Sequence, residues 1–173
     1  MLVRMIDELS YSHFNSILRI INDAAQAYEG VIPDDRWEKP YMSKNELRDG
    51  LEEGIQFYGW KEDDKILAVM GIQDFEDITL IRHAYVLPEH QGEDIGGKLL
   101  EYLIDIAENS TVLVDPWEDA DWAISFYHKH GFHQVSSSEK EKLLRKYWDV
   151  SEREIETSVV LRLEKGSPSK TVT

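Results

Sequence analysis

The chain has 173 residues, with 34 Asp and Glu against 19 Lys and Arg, a formal charge of −15 and a pI of about 4.7. That length suits one domain with a full core. The absence of cysteine removes disulfides, thiolate zinc sites and a cysteine nucleophile together.

The acidic excess argues against nucleic acid and anionic membrane as partners, since both demand a surplus of Lys and Arg. No apolar run reaches the roughly 18 residues of a spanning helix, and Asp7 and Glu8 interrupt the apolar stretch a signal peptide needs. A cytoplasmic protein is expected. Residues 1–165 are expected to form a single domain, with 166–173, rich in Gly, Ser, Pro and Thr, as a flexible tail.

From Ser12 to Tyr28 the apolar residues Phe14, Ile17, Leu18, Ile21, Ala24 and Ala25 recur at helical spacing, and Gly30 ends the run. Ser43 with Glu46 three residues on has the pattern of a capping box, opening a second helix through Leu47 and Leu51. The period then changes. Ile55–Trp60, Ile66–Phe75 and Ile78–Val86 read as strands of an antiparallel meander, with turns at Asp63-Asp64 and Glu76-Asp77.

Beyond Pro88 the helical period returns, with Ile95, Leu99, Tyr102, Leu103 and Ile106 expected on one face. Thr111–Val114 reads as a short strand stopped by Asp115-Pro116. A helix from about Ala120 ends at Gly131, with Phe132 following as in a glycine-terminated helix. Ile155, Thr157, Val159, Leu161 and Leu163 alternate with polar residues and read as a last strand, part of a late hairpin. The expected fold class is mixed α/β (α+β), a mostly antiparallel sheet with helices on both faces.

The stretch from Val86 to Leu100, Val-Leu-Pro-Glu-His-Gln-Gly-Glu-Asp-Ile-Gly-Gly-Lys-Leu-Leu, carries the chemistry. A strand ends, a proline turns the chain, and glycines stand where a helix begins. Each glycine costs roughly 1 kcal/mol in a helix relative to Ala, so two in a first turn imply close approach to the backbone. Free N–H groups and the helix dipole make such a start a phosphate site. The spacing does not fit a dinucleotide Gly-x-Gly-x-x-Gly. A P-loop fits in length from Gly92 to Lys98, but Leu99 stands where a hydroxyl must hold magnesium. A P-loop phosphotransferase therefore stays as an alternative.

Gln91-x-x-x-x-Gly96-Gly97 before an amphipathic helix resembles the coenzyme A pyrophosphate loop of the GNAT superfamily of N-acetyltransferases. The later Ala123-Ile124-Ser125-Phe126-Tyr127-His128-Lys129-His130-Gly131-Phe132 is similar to that family's second signature. Asp94 stands at the first glycine of the family's loop, and Ala120 where many members have Asn.

The resemblance implies direct transfer of acetyl from acetyl-CoA, as cosubstrate and without a metal, to a primary amine of a small molecule or peptide. It places Ala84, Tyr85 and Val86 along the pantetheine arm and wraps Gln91, Gly92, Glu93, Asp94, Ile95, Gly96, Gly97 and Lys98 around the pyrophosphate. Tyr127 matches the tyrosine that protonates the departing thiolate; a phenol with a reference pKa near ~10 is protonated at neutral pH. The aromatic and charged residues Tyr28, Trp37, Arg82 and Asp115 are candidates for the acceptor site, although Tyr and Trp also suit a homodimer face. No general base is legible. A catalytically weak CoA-binding or regulatory module is the second alternative. His128, His130 and His133 do not have the spacing of a metal site, since a helix turns residues two apart to different sides.

Overall fold

The computed structural model describes residues 3–166. Seven strands form one sheet in the order β1-β2-β3-β4-β5-β7-β6. They are β1 (Arg4–Leu9), β2 (Gln56–Glu62), β3 (Lys65–Asp74), β4 (Thr79–Val86), β5 (Thr111–Val114), β6 (His133–Gln134) and β7 (Leu161–Glu164). Every pairing is antiparallel except β4 with β5. The helices are α1 (Phe14–Ala24), α2 (Lys44–Glu52), α3 (Ile95–Ile106), α4 (Asp121–Lys129), α5 (Ser137–Tyr147) and α6 (Glu152–Thr157). None of the described helices is long and apolar enough to cross a membrane.

Helices cover both faces of the sheet. β3 is buried from Ile66 to Gln73 without alternation, the pattern of a strand enclosed on both sides. Ile17, Ile20 and Ile21 of α1 and Leu99, Leu100 and Leu103 of α3 share one large core with it. A smaller core joins Leu80 and Leu113 to Leu144, Trp148 and Ile155, seating α5 and α6 on the late strands. Ser43 opens α2 with the expected capping box: its hydroxyl accepts from the Glu46 N–H while the Glu46 carboxylate accepts from the Ser43 N–H.

Four expectations change. The strand β1 is absent from the sequence reading because it is an edge strand in which only Leu9 is fully buried, so burial leaves no clear period in its residues. Tyr102 and Ile106 lie exposed on α3 instead of facing the core. The expected strand at Ile155 begins only at Leu161, because Ser151 and Glu154 form a second capping box that starts α6. In place of a first hairpin strand before it stands helix α5, which ends at Arg145-Lys146-Tyr147 with Trp148 as its C-cap. The Ser136 hydroxyl accepts from the Glu139 N–H there. The expected tail lies, apart from Gly166, outside the described residues.

Two features position the site. Val69 pairs with Tyr85 and Gly71 with Arg82, so Met70 faces both His83 and Ala84. This bulge puts His83 at φ +55°, and an extra residue of this kind re-aims the side chains beside it. Gly71 lets the bulge approach: a Cβ there would lie 3.0 Å from the Arg82 carbonyl and 2.8 Å from Ile55 Cγ2. Second, β5 pairs with β4 only at Thr79–Val112 and Leu80–Leu113, while β4 runs on to Val86. The β4 edge beyond Leu80 is therefore not matched by β5.

Candidate active site

A cleft of about 840 Å³ opens where β4 and β5 cease to pair. Arg82, His83, Ala84 and Tyr85 line it from the bulge, Tyr127 from α4, and Asp115 from the turn after β5. Tyr28 and Tyr41 enter from the α1–α2 side, Trp117 from the β5–α4 loop, and Tyr147 and Trp148 from the end of α5. Eight acidic side chains face the cleft, against the two arginines Arg36 and Arg82.

The aromatic wall is mutually braced. Tyr28 packs against Tyr41, Tyr85 and Trp117 at centroid distances of 5.3, 6.3 and 6.2 Å. The Trp117 indole N–H donates to the Tyr41 hydroxyl at 2.8 Å. Burial pushes the Tyr28 phenol up to about 12, with Tyr127 and Asp115 nearby adding to the shift. Burial also raises Tyr41, Tyr85 and Tyr127. All four phenols hold their protons at neutral pH. Tyr127 is able to donate one, with the Asp115 carboxylate raising it further.

Arg82 is fixed rather than free. Its Nη1 donates to Gln73 Oε1 at 3.1 Å, and Gln73 Nε2 donates in turn to the Glu53 carbonyl at 3.0 Å. His83 also lines the cleft, not the opposite core, because the bulge rotates it; its ring stacks on Phe57 at 6.0 Å. Desolvation first, and then the nearby Arg82, push it down to about 3, so it is neutral. Trp37 is outside the lining and stacks on Tyr41 at 6.0 Å. Arg145 and Lys146, from the same segment as Tyr147 and Trp148, turn to surface pairs with Glu141, Glu152 and Asp77.

The glycine loop lies at the other end of β4. A short 3₁₀ turn at Pro88–His90 leads to Gly92 at φ +86° and to Asp94, which takes the left-handed conformation at φ +64° before α3. Asp tolerates that region better than most side chains, so the turn keeps its shape without glycine. The Gln91 side-chain amide donates to the Val86 carbonyl at 3.2 Å, tying loop to strand. No side chain caps α3, so its first N–H groups and dipole suit an anionic diphosphate.

The glycine pair has a reason the sequence did not show. A Cβ on Gly97 would lie 2.8 Å from Asp94 Oδ1 and 3.1 Å from the His130 ring. One on Gly96 would lie 3.4 Å from Val86 and 3.7 Å from Phe126. The close approach inferred from these glycines is thus made at Gly97, by the chain's own Asp94 and the end of α4, while the Gly96 distances are ordinary contact. Lys98 places its ammonium over the Trp60 ring at 5.8 Å. Among the described residues no three His, Asp or Glu side chains gather as a metal site.

Asp115 and Trp117 owe their places to the late segment. The Val159 N–H donates to the Pro116 carbonyl at 3.1 Å and the Glu118 N–H to the Thr157 carbonyl at 2.8 Å. Trp117 and Glu154 are cleft residues that sequence reasoning missed. The capping pattern Ser151-x-x-Glu154 was the available signal for α6, and with it for Glu154.

Residues 53–134 match the model of the acetyltransferase (GNAT) domain. Over 82 residues, 47% of this chain, the sequence is 34% identical to the N-alpha-acetyltransferase RimI of Mycobacterium tuberculosis. The match spans about half the length of that relative, 46%. Among solved structures, the ribosomal-protein-S18-alanine N-acetyltransferase of Escherichia coli superposes with a TM-score of 0.67 at 17% identity, over 99% of both chains. A GNAT-family acetyltransferase of Staphylococcus aureus Mu50 superposes at 0.72 and 14% identity, over 95% of this chain and 100% of that one. The PaiA N-acetyltransferase of Thermoplasma acidophilum, in complex with coenzyme A, superposes at 0.68 and 16% identity, over 94% and 99%. At these identities the structural likeness speaks for the fold. Over residues 53–134 the chain is thus similar in sequence to the acetyltransferase (GNAT) domain, and along almost its whole length it shares the fold of solved acetyltransferases.

Proposed function

We propose that this protein transfers the acetyl group of acetyl-CoA directly to a primary amine of a small molecule or peptide. The observation that carries the reading is the β4 edge beyond Leu80, left unmatched by β5, with the uncapped start of α3 at one end and the buried Tyr127 phenol at the other. The residues fit the cosubstrate. Backbone N–H and C=O groups of Ala84, Tyr85 and Val86 suit the amides of a pantetheine arm added like a strand. The loop from Gln91 to Gly97 suits its diphosphate, and the Val86 N–H is the candidate donor to the thioester carbonyl. When bound, acetyl-CoA supplies an activated acyl carbon with a thiolate leaving group.

The chain's own residues supply the rest. Tyr127 holds a proton for the departing sulfur, and the aromatic wall shuts water from one side of the cleft. The acidic lining attracts a cationic amine. The relative is an N-alpha-acetyltransferase by name and the first structural neighbour a ribosomal-protein-S18-alanine N-acetyltransferase, which agrees with an amine acceptor on a peptide; the acidic cleft suits cationic small amines equally.

Thermal melting with acetyl-CoA, CoA and ATP-Mg²⁺ tests the cosubstrate. A ligand at 100 times its Kd stabilises by about 2.7 kcal/mol. Stabilisation by both CoA species is expected. Stabilisation by ATP-Mg²⁺ alone would return the site to a phosphotransferase. Thiol release with an amine panel tests turnover, and binding of acetyl-CoA without release points to a regulatory module instead.

A further inference from the structure

We infer that the acceptor is a free amino acid whose carboxylate is held by the unpaired guanidinium of Arg82. This names the acceptor class within the acetyl-transfer reading above and rests on that reading. Arg4, Arg19, Arg145, Arg153 and Arg162 each pair with an acidic side chain. Arg82 does not. It lines a cleft with eight acids, in a chain of charge −15, and among the described residues no ion pair engages it.

What holds Arg82 is neutral. Its Nη1 donates to Gln73 Oε1, and the buried Gln73 amide is anchored in turn on the Glu53 carbonyl. An amide oxygen orients a guanidinium without cancelling its charge, whereas a carboxylate there would do both. Among the described residues no acceptor is bonded to Nε or Nη2. Neither atom is sealed in the interior, since the buried polar atoms without partners are Arg36 Nε and Trp148 Nε1. The fork is therefore aimed and still charged, the state in which an arginine takes a carboxylate through two parallel bonds. Arg36, the other arginine of the cleft, is laid over the Trp117 ring at 5.1 Å and has no such tether.

A second donor stands close by. The Trp148 indole is 6% exposed, lines the same cleft and has no acceptor for its N–H. A buried donor left unpaired is costly, and an incoming oxygen relieves that cost. Burial raises the Asp115 carboxyl, while Arg82 from β4 and the Trp148 indole from the C-cap of α5, both beside it, pull it back. The two donors thus share one end of the cleft with one acid, and no ion pair closes the gap between Arg82 and Asp115. An amino acid fits that gap with charges crossed, its carboxylate toward Arg82 and the indole, its ammonium toward Asp115. A diamine would set a second cation in a cleft whose arginine then stays unpaired. The first carbonyl of a peptide offers that arginine one neutral oxygen in place of two charged ones.

The test measures thiol release from acetyl-CoA with the common free amino acids, their carboxamides, 1,4-diaminobutane and an alanine-initiated tripeptide. The best free acid should exceed its own carboxamide in kcat/KM. Carboxamides have the less basic amine, so the decisive quantity is how the acid-to-carboxamide ratio changes when Arg82 is replaced. In Arg82→Gln that ratio should fall by about tenfold to a hundredfold, with the loss in KM for the acid. Arg82→Lys keeps the charge without the fork, so the ratio should fall less. That variant carries the test if Arg82→Gln fails to fold, as judged by its acetyl-CoA melting shift. Arg36→Gln should keep the preference for the acid. Melting with CoA and each acceptor, where nothing turns over, should show the acid stabilising more than its carboxamide, and the difference gone in Arg82→Gln. Turnover by the parent confined to carboxamides, diamine or tripeptide, a ratio unmoved by the Arg82 variants, or a preference lost in Arg36→Gln instead, overturns the assignment and leaves acetyl transfer standing. No thiol release by the parent with any acceptor overturns the acetyl-transfer reading itself, and this inference with it.

Discussion

The two ends of the cleft are built differently. The proposed cosubstrate end, from the β4 bulge through the glycine loop to α4, is a matter of backbone: left-handed residues at Gly92 and Asp94, and Gly97 pressed against Asp94 and His130. The acceptor end is a matter of side chains. Tyr28, Tyr41, Trp117, Tyr147, Trp148 and Asp115 reach it from four separate stretches of chain. Backbone constraints restrict residue types and so write motifs into the sequence. Convergent side chains write none, and that end is free to vary with the acceptor.

The comparison breaks most clearly at Tyr127, which stands between the two ends. Tyr127→Phe should lower turnover by about a hundredfold or more while leaving the acetyl-CoA melting shift unchanged. Equal turnover would place Tyr127 in the packing with Phe126 and Phe132 and out of the chemistry. Gly71→Ala probes the backbone side. Its Cβ would press on the Arg82 carbonyl and on Ile55, so overpacking should cost about 1–3 kcal/mol in denaturant unfolding, and an unaltered midpoint would show the bulge to be pliant.

A third measurement follows the acid stability of the bulge. His83 is held at about 3 in the fold, against 6.5 ordinarily. Unfolded chains therefore bind its proton first, and stability present above pH 6.5 is lost as pH falls toward 3. His83→Asn, whose side chain tolerates φ +55°, should flatten the fall of Tm in that window; a fall as steep as the parent's would assign it to other groups. The smallest effect is expected at Asp94→Gly. Removing a carboxylate from the loop should tighten acetyl-CoA binding measured by titration, most at low salt. Unchanged affinity would show that Asp94, folded over Gly97, does not face the phosphates.

Much of the first end was legible. The meander, the helix after the glycines and the helix end at Gly131-Phe132 follow from periodicity and turn chemistry. The acceptor end was not, for reasons that can be named. At Ile155 an apolar alternation outweighed the Ser151–Glu154 cap, although the same pattern had been read correctly at Ser43. β1 escaped because burial, the source of strand periodicity, is full only at Leu9 and does not alternate along it. Asp115 before Pro116 reads as an ordinary turn, and only the closure of β4, α4 and α6 around it makes it unusual. Arg82 is an acceptor-site candidate by residue type alone, because its tether through Gln73 to the Glu53 carbonyl is a contact between distant segments.

The contact between Gly96 and Phe126 has a metrical consequence. Phe126 adjoins Tyr127 in α4, and Gly96 stands in the first turn of α3. The close seating of α4 on the first turn of α3, tightest at Gly97, would set the span between a diphosphate held at the loop and the Tyr127 phenol in the proposed reading. If acetyl-CoA binds as proposed, a thioester on a shortened arm, anchored at the loop, would present its carbonyl short of Tyr127.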